Sequence, residues 1–372
     1  MKKVIAIAFV IIALETLYLI VSPYVAASAQ SMFRANLERT GVYKTQSIQR
    51  LHGVEWKFKT ERVIEAWFSS PTVSGDTVYF GSDDSYLYSL NALTGELKRK
   101  FKTGDVVYSS PAVADGAVYV GSHDGHLYSI DAQTGKQRWS LKTGYRVYSS
   151  PAVSEGAVYF GSADNYLYAV EAATGKLLWK FKANSWILSS PAISEGTIYF
   201  GCWDAYLYAV DKMTGREKWR FRTGYRILSS PAVVEGTVYF GSMDGIFYAV
   251  DTKSGHERWR FKTKERIRSS PAIQNQTVYV GGDDGEFYAL AVETGQEKWR
   301  IKTGGPIISS PAIAGGIAYF GSADAHLYAV DVETGKMKWK FNAPFGWMRS
   351  SPAVANGMIY FGSDDGNLYA LK

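Results

Sequence analysis

The sequence predicts an all-β protein: an eight-bladed β-propeller of four-stranded antiparallel blades, with the ring closed by an N-terminal strand that completes the last blade. Three observations predict it. Ser-Ser-Pro recurs with its proline at Pro71, Pro111, Pro151, Pro191, Pro231, Pro271, Pro311 and Pro352, a step of 40 residues with a last step of 41. Each repeat reads as four short apolar runs separated by turn residues. The two ends of the chain complement each other, because the last repeat stops before its fourth strand and a spare fourth strand precedes the first repeat.

The repeat beginning at Ser149 shows the elements in order. Strand A is read as Ser149-Ser150-Pro151-Ala152-Val153, and the turn Glu155-Gly156 leads to strand B, Ala157–Gly161. Asp164-Asn165 turns into strand C, Tyr166–Val170, and Thr174-Gly175 turns into strand D, Leu178–Lys182. Gly, Asp and Asn bound each run, as strand-and-turn sequences do. A second marker glycine follows each proline by ten residues, from Gly81 to Gly362. The final unit ends at Leu371-Lys372 after strand C, and Trp56-Lys57-Phe58-Lys59 supplies the missing strand D. Residues 53–372 are therefore read as one propeller domain, preceded by a lead-in at 30–52. Closing the ring hides blade edges that would otherwise pair with other chains.

Composition narrows the function classes. Hydrophobic residues at 46% and charged residues at 20% describe a folding chain. A single cysteine, Cys202, excludes a disulfide framework and a multi-cysteine zinc or iron–sulfur site. Five histidines leave little for a histidine-rich metal centre. Lys2 and Lys3 precede an apolar run interrupted by Glu15, then Pro23 and Ala27-Ser28-Ala29. Residues 1–29 read as an export signal cut after Ala29 or as an uncleaved membrane anchor. Either places the remainder outside the cytoplasm, in the periplasm or beyond it.

Features shared by every blade are read as structural. The Asp three residues after each marker glycine (Asp84 through Asp365) is expected to hold the B–C turn through backbone amides. Trp56, Trp139, Trp179, Trp219, Trp259, Trp299 and Trp339 share one repeat position and are expected to dock between blades. Arg99 takes that position in the first repeat and weakens its contact. Lys and Arg alternate with apolar residues along strand D, where they blunt the outer edge rather than form a nucleic-acid stripe.

The run Tyr208-Ala209-Val210-Asp211-x-x-Thr214-Gly215-x-x-x-Trp219 resembles the tryptophan-docking motif of the PQQ-like repeat propellers. Met32-Phe33-Arg34 through Arg39-Thr40-Gly41 is similar to the lead-in of the same superfamily. The resemblance implies kinship with quinoprotein alcohol dehydrogenases and with outer-membrane assembly scaffolds of the BamB type. It implies, for the dehydrogenase branch, a PQQ and Ca²⁺ site built by long insertions and two adjacent cysteines; this chain has one cysteine and no inserted Glu/Asn/Asp set. The BamB-type scaffolds are of similar size and lack a cofactor, and are usually anchored through a lipid-acceptor cysteine that is missing here.

What differs between blades is expected to carry function. In such a blade the D–A loops and B–C turns share one face, and this face varies. Four tryptophans off the docking position map to it: Trp67, Trp186, Trp203 and Trp347. The two loops of unusual length, from Glu61 to Phe68 and from Pro344 to Arg349, also fall there. Three positions before the first serine of each pair, the residues include Arg146, Trp186, Arg226, Arg266 and Trp347; two further on they include Tyr108, Tyr148, Arg268 and Arg349. Read as alternating strand positions, both rings line the channel mouth. Arg beside Trp and Tyr suits bidentate bonding and stacking, and is the composition of protein-interaction hot spots. The expected function is a non-catalytic, monomeric propeller that binds a protein or peptide in the cell envelope, with no nucleic acid, no metal and no cofactor. Two alternatives stay open: an oxidoreductase holding PQQ at the mouth, and a propeller for a small anionic ligand or glycan.

Overall fold

A computed structural model describes residues 31–61, 69–343 and 346–372. These residues form eight four-stranded antiparallel sheets, arranged as the blades of a closed ring. Blade 1 consists of Thr72–Ser74, Thr77–Gly81, Tyr86–Asn91 and Leu97–Lys102, and the later blades repeat it. The eighth sheet is made of Ala353–Ala355, Met358–Ser363 and Asn367–Leu371, with Val54–Lys59 as its outer strand. Trp56 lies opposite Ala370 and Phe58 opposite Leu368. The two ends of the ring are tied directly, with His52 N donating to Lys372 O at 2.6 Å and Lys372 N to Gly53 O at 3.1 Å. The expected closure is thus what the fold shows. Among the described residues no helix is long and apolar enough to cross a membrane. Residues 1–29 lie outside the described residues.

Strand A differs from the sequence expectation. In the third blade it is Ala152–Ser154, starting after the proline rather than at Ser149. The reason is chemical. Pro151 has no N–H to give a ladder, and the Ser150 amide is used elsewhere. It donates to Ser190 Oγ at 3.0 Å. The same bond runs from Ser70 to Ser110, Ser110 to Ser150, Ser190 to Ser230, Ser230 to Ser270, Ser270 to Ser310, Ser310 to Ser351, and Ser351 back to Ser70, all at 2.9–3.0 Å. The second serine of every Ser-Ser-Pro therefore belongs to a continuous belt around the channel.

The marker glycine has an equally local cause. A Cβ on Gly161 would sit 2.3 Å from Ile187 Cγ2, the apolar residue between the two variable positions of the next D–A loop. Val107, Val147, Ile227, Ile267, Ile307 and Met348 press on the corresponding glycines, and all are buried. Each B–C turn Asp does more than hold its own turn. Asp124 accepts the His126 amide on Oδ1, and the Tyr128 hydroxyl and Gly104 amide on Oδ2. It joins strand C, its turn and the incoming D–A loop at one carboxylate. All eight repeats pair this Asp with the tyrosine four residues on.

Seven indoles bridge the blades. Trp56, Trp139, Trp179, Trp219, Trp259 and Trp299 each donate Nε1 to a carbonyl in the C–D turn of the following blade, at 2.7–3.3 Å. The eighth blade has chain ends in place of that turn, and Trp339 donates instead to Ile48 O at 2.9 Å. The Tyr319 hydroxyl donates to the same carbonyl, as Tyr119 does to Ala172 O. The lead-in thus imitates a C–D turn.

The rest of the lead-in threads the channel. The amides of Ile193, Val233, Ile273 and Ile313, on the inner strands of four successive blades, donate to the carbonyls of Leu37, Glu38, Thr40 and Gly41 at 2.8–3.0 Å. Ser31 bridges Val113 in the second blade. Inner edges that a bare ring would leave unpaired are capped by this segment. Arg39 is fully buried and donates to Pro191 O at 3.0 Å and to Ser150 O and Pro151 O at 3.1 Å. Arg34, also buried, donates to Pro271 O and Arg39 O. Burial pulls both guanidinium groups down to about 9, which leaves them charged at neutral pH.

Two stability outcomes follow from these contacts. Arg99→Trp should supply the missing indole and raise stability by about 1–3 kcal/mol, seen as a melting temperature higher by a few degrees. Arg39→Ala should strand three or more buried carbonyls and lower stability by about 3 kcal/mol or more in denaturant unfolding.

Candidate functional site

The face that carries the D–A loops and B–C turns is built from two segments per blade that are bonded together. Among the described residues the carbonyl three residues before the serine pair accepts an amide from the B–C turn: Val106 O from His123, Arg146 O from Ala163, Trp186 O from Trp203, Arg226 O from Met243, Arg266 O from Asp283, Pro306 O from Ala323 and Trp347 O from Asp364, at 2.8–3.2 Å. These loop segments are not strands. The variable side chains stand on either side of a buried apolar residue because that residue is pinned on the marker glycine, not because of a sheet pleat.

Across blades 2 to 5 the side chains form one continuous crescent. Tyr108 and Tyr148 flank the His123 ring, at 4.6 Å and 4.1 Å between centroids. Arg146 lies over Tyr145 at 5.5 Å and reaches the Tyr148 hydroxyl at 3.5 Å. Tyr145 leans on Trp186 at 6.1 Å. Trp186 stacks on Trp203 at 4.7 Å and 29°. Arg226 closes the series over Trp203 at 4.3 Å and over Tyr225 at 5.3 Å. Cation–ring contacts of this kind hold a guanidinium in place while leaving its N–H groups available. Tyr145 and Tyr225 remain nearly half exposed. Two ring nitrogens in the crescent, His123 Nε2 and Trp203 Nε1, are buried with no hydrogen-bond partner among the described residues.

The other arginines behave differently. Arg268 is paired with Asp283, Nε to Oδ2 at 2.9 Å. Arg349 lies 3.4 Å from Asp364 and over the exposed Trp347 at 4.5 Å. Burial outweighs Arg268 and holds the Asp283 carboxyl above its ordinary range. Arg266 is exposed on the same rim. Trp67 lies outside the described residues, as does most of the loop that carries it. The structure thus gathers Arg146, Trp186, Trp203 and Arg226 in one cluster, and places Arg268 and Arg349 in local ion pairs at blades 6 and 8.

Sequence reasoning missed a third variable ring, the residue two after the marker glycine. It holds His123, Trp203, Asp283 and Asp364, of which only Trp203 was singled out. The Arg–Asp pairs were visible as a repeated separation of 15 residues. Tyr145 and Tyr225, one residue before the first ring, were also missed.

A quinone with Ca²⁺ would need six to eight oxygen ligands gathered at one point. Among the described residues no group of three or more His, Cys, Asp or Glu could hold a metal ion. The Asp283 and Asp364 carboxylates on this face are turned to arginines. These residues do not fit the group. Cys202 is buried, donates to Ser185 O at 3.3 Å, and burial pushes its thiol up, away from nucleophilic use.

A family model described as beta-alanine-activating enzyme, beta-propeller, matches residues 47–245. Another, described as outer membrane protein assembly factor BamB, matches residues 243–372. No curated protein matches the chain. Among solved structures, BamB from Moraxella catarrhalis is similar with 20% identity and a TM-score of 0.72, covering 86% of this chain and 97% of that one. A europium-containing methanol dehydrogenase is similar with 16% identity and a TM-score of 0.76, over 91% and 97%. The computationally designed Ika8 protein reaches 20% and 0.75, over 84% and 98%. At these identities the likeness is one of fold.

The crescent carries a pH signature. Burial, then the Arg146 charge, pull the His123 imidazole from 6.5 down to about 4. Between those values the unfolded chain binds a proton that the folded one refuses, so stability falls as pH drops from 6.5 toward 4. His123 should titrate by NMR with a midpoint near 4, and His123→Phe should flatten the stability profile across that window.

Proposed function

The chain belongs to the beta-propeller family of beta-alanine-activating enzyme, a PQQ-like repeat propeller, and we propose that it is a non-catalytic binding module that holds a protein or peptide partner on its Arg-aromatic mouth. The observation that carries this reading is the crescent from Tyr108 to Tyr225. It places Arg146 and Arg226 on aromatic rings, with no carboxylate partner for either among the described residues. A surface of Trp, Tyr and Arg held in this way offers large rigid contact area with bidentate donors, which is how protein hot spots are built. The similarity of residues 243–372 to the BamB family model supports a scaffold role in the cell envelope, with the chain exported and retained there by residues 1–29 or released from them. The belt and the channel-filling lead-in make the ring rigid, and a rigid ring presents the mouth at little entropic cost.

The oxidoreductase reading has structural likeness to a methanol dehydrogenase in its favour. Against it stands the donor set, in which the Asp283 and Asp364 carboxylates face arginines and no metal-holding group is found among the described residues. A small anionic ligand remains the second reading, because the arginines that serve a peptide carboxylate would serve a sugar acid; it predicts saturable binding of an anionic sugar that is lost in Arg226→Ala.

Arg146→Glu, Arg226→Glu and Arg266→Glu together should abolish partner capture from solubilised envelopes while leaving the circular dichroism spectrum unchanged. Lys180→Glu, Arg220→Glu and Lys340→Glu on the outer strands should leave capture intact. Equal loss from the outer-strand set would refute the assignment of the mouth.

A further inference from the structure

Most of the blade seams are closed by one device, in which a strand-D indole lies on the Thr-Gly turn of the next blade. Trp139, for example, packs on Gly175 (φ 73°) and donates to Ala172 O at 3.0 Å. The seam between blades 1 and 2 holds only the receiving half. Gly135 has the same φ of 73°. The Ala132 carbonyl stands at the register of Ala92 O, Ala172 O and Lys212 O, each of which accepts an indole N–H. In place of the indole is Arg99, whose Cδ lies 2.7 Å from where a Cβ on Gly135 would be. Arg99 is exposed, and its guanidinium has no hydrogen-bond or ion-pair partner among the described residues. With Arg99 lying in the seam only about 20 Å³ is left open there, lined by Tyr79, Leu87, Phe101, Val118, Ile130 and Ala132 among others, so the place of the indole is taken by the Arg99 side chain.

We propose that this seam is an indole socket, a second interaction site that takes one tryptophan side chain presented by a partner protein. The neighbouring seams define the occupant: an apolar plane for the glycine turn and a single N–H for the carbonyl. Entry requires only that Arg99 swing outward, which breaks no bond described here, and its guanidinium can then lie on the outer face of the inserted ring. A single buried tryptophan is the typical anchor of a protein interface. The site is unique in the ring, since the other strand-D positions that face a Thr-Gly turn carry their own tryptophan. It lies toward the C–D turns, on the side of the ring opposite the mouth, and does not depend on the reading of the mouth.

The probe is N-acetyl-L-tryptophanamide, titrated into the full chain and followed by saturation-transfer and amide NMR. Saturable binding is expected, with shifts centred on Ala132 and Gly135. Arg99→Ala should bind about threefold tighter, and Arg99→Trp at least about tenfold weaker because its own indole fills the socket. N-acetyl-L-leucinamide should not compete. The proposal is overturned by absence of saturable binding in both the wild type and Arg99→Ala, by undiminished binding in Arg99→Trp, or by shifts confined to the Arg146–Arg226 crescent. Tighter binding of zwitterionic L-tryptophan than of the blocked amide would overturn the choice of a protein side chain as occupant. The wild-type shift map stands even where Arg99→Trp fails to fold.

Discussion

Eight amide-to-hydroxyl hydrogen bonds, running head to tail from each Ser-Ser-Pro to the next, form the constraint on which the rest of this molecule depends. Each is an ordinary neutral bond worth about 1 kcal/mol net. Their importance is geometric. All sit in the buried wall of the channel, where an unmade bond would leave a serine amide without water. Because they close on themselves, the angle between any two blades is fixed by all the others. The proline that follows ends the belt, and strand A begins at the next residue. The loop that precedes it is then held by the marker glycine below and the B–C turn Asp beside it. The mouth side chains are therefore carried on loops with little freedom, although they lie outside the sheets.

The channel itself is not left open as a tube. The lead-in from Ser31 to Ile48 pairs with inner strands, sends Arg34 and Arg39 to carbonyls at the start of those strands, and ends by standing in for the missing C–D turn of the eighth blade. Two roles usually assigned to separate elements, filling a channel and closing a ring, are met by one extended segment. A cavity remains between the lead-in, at Ser31 and Tyr43, and the inner strands of the first and eighth blades, at Val73 and Val354.

Much of this was legible in the sequence, and the exceptions have physical reasons. The blades, their count and the closure by Val54–Lys59 follow from a period, and a period survives any error in a single residue. The start of strand A at Ala152 is not legible in the sequence, because Ser149 and Ser150 look like strand residues until the partner of the Ser150 amide, forty residues away, is known. The burial of Arg34 and Arg39 was not legible at all. Arginine is mostly a surface residue, and the blade carbonyls that engage these two lie more than 100 residues along the chain. At the mouth, the comparison of blades found Arg146, Trp186, Trp203 and Arg226. It could not tell them from Arg268 and Arg349, because the aspartates that engage those two stand on a different turn.

The deviations from the repeat gather on one face, and the proposal that this face holds another protein can be tested in one step. The most direct test is native mass spectrometry of the protein gently extracted from its own host, with an absorbance spectrum of the same sample. The expected result is a ring bound to a second polypeptide of defined mass, released when Arg146, Arg226 and Arg266 are reversed in charge, with no quinone absorption. A ring carrying only a small bound mass with quinone absorption would contradict it and make the chain an oxidoreductase.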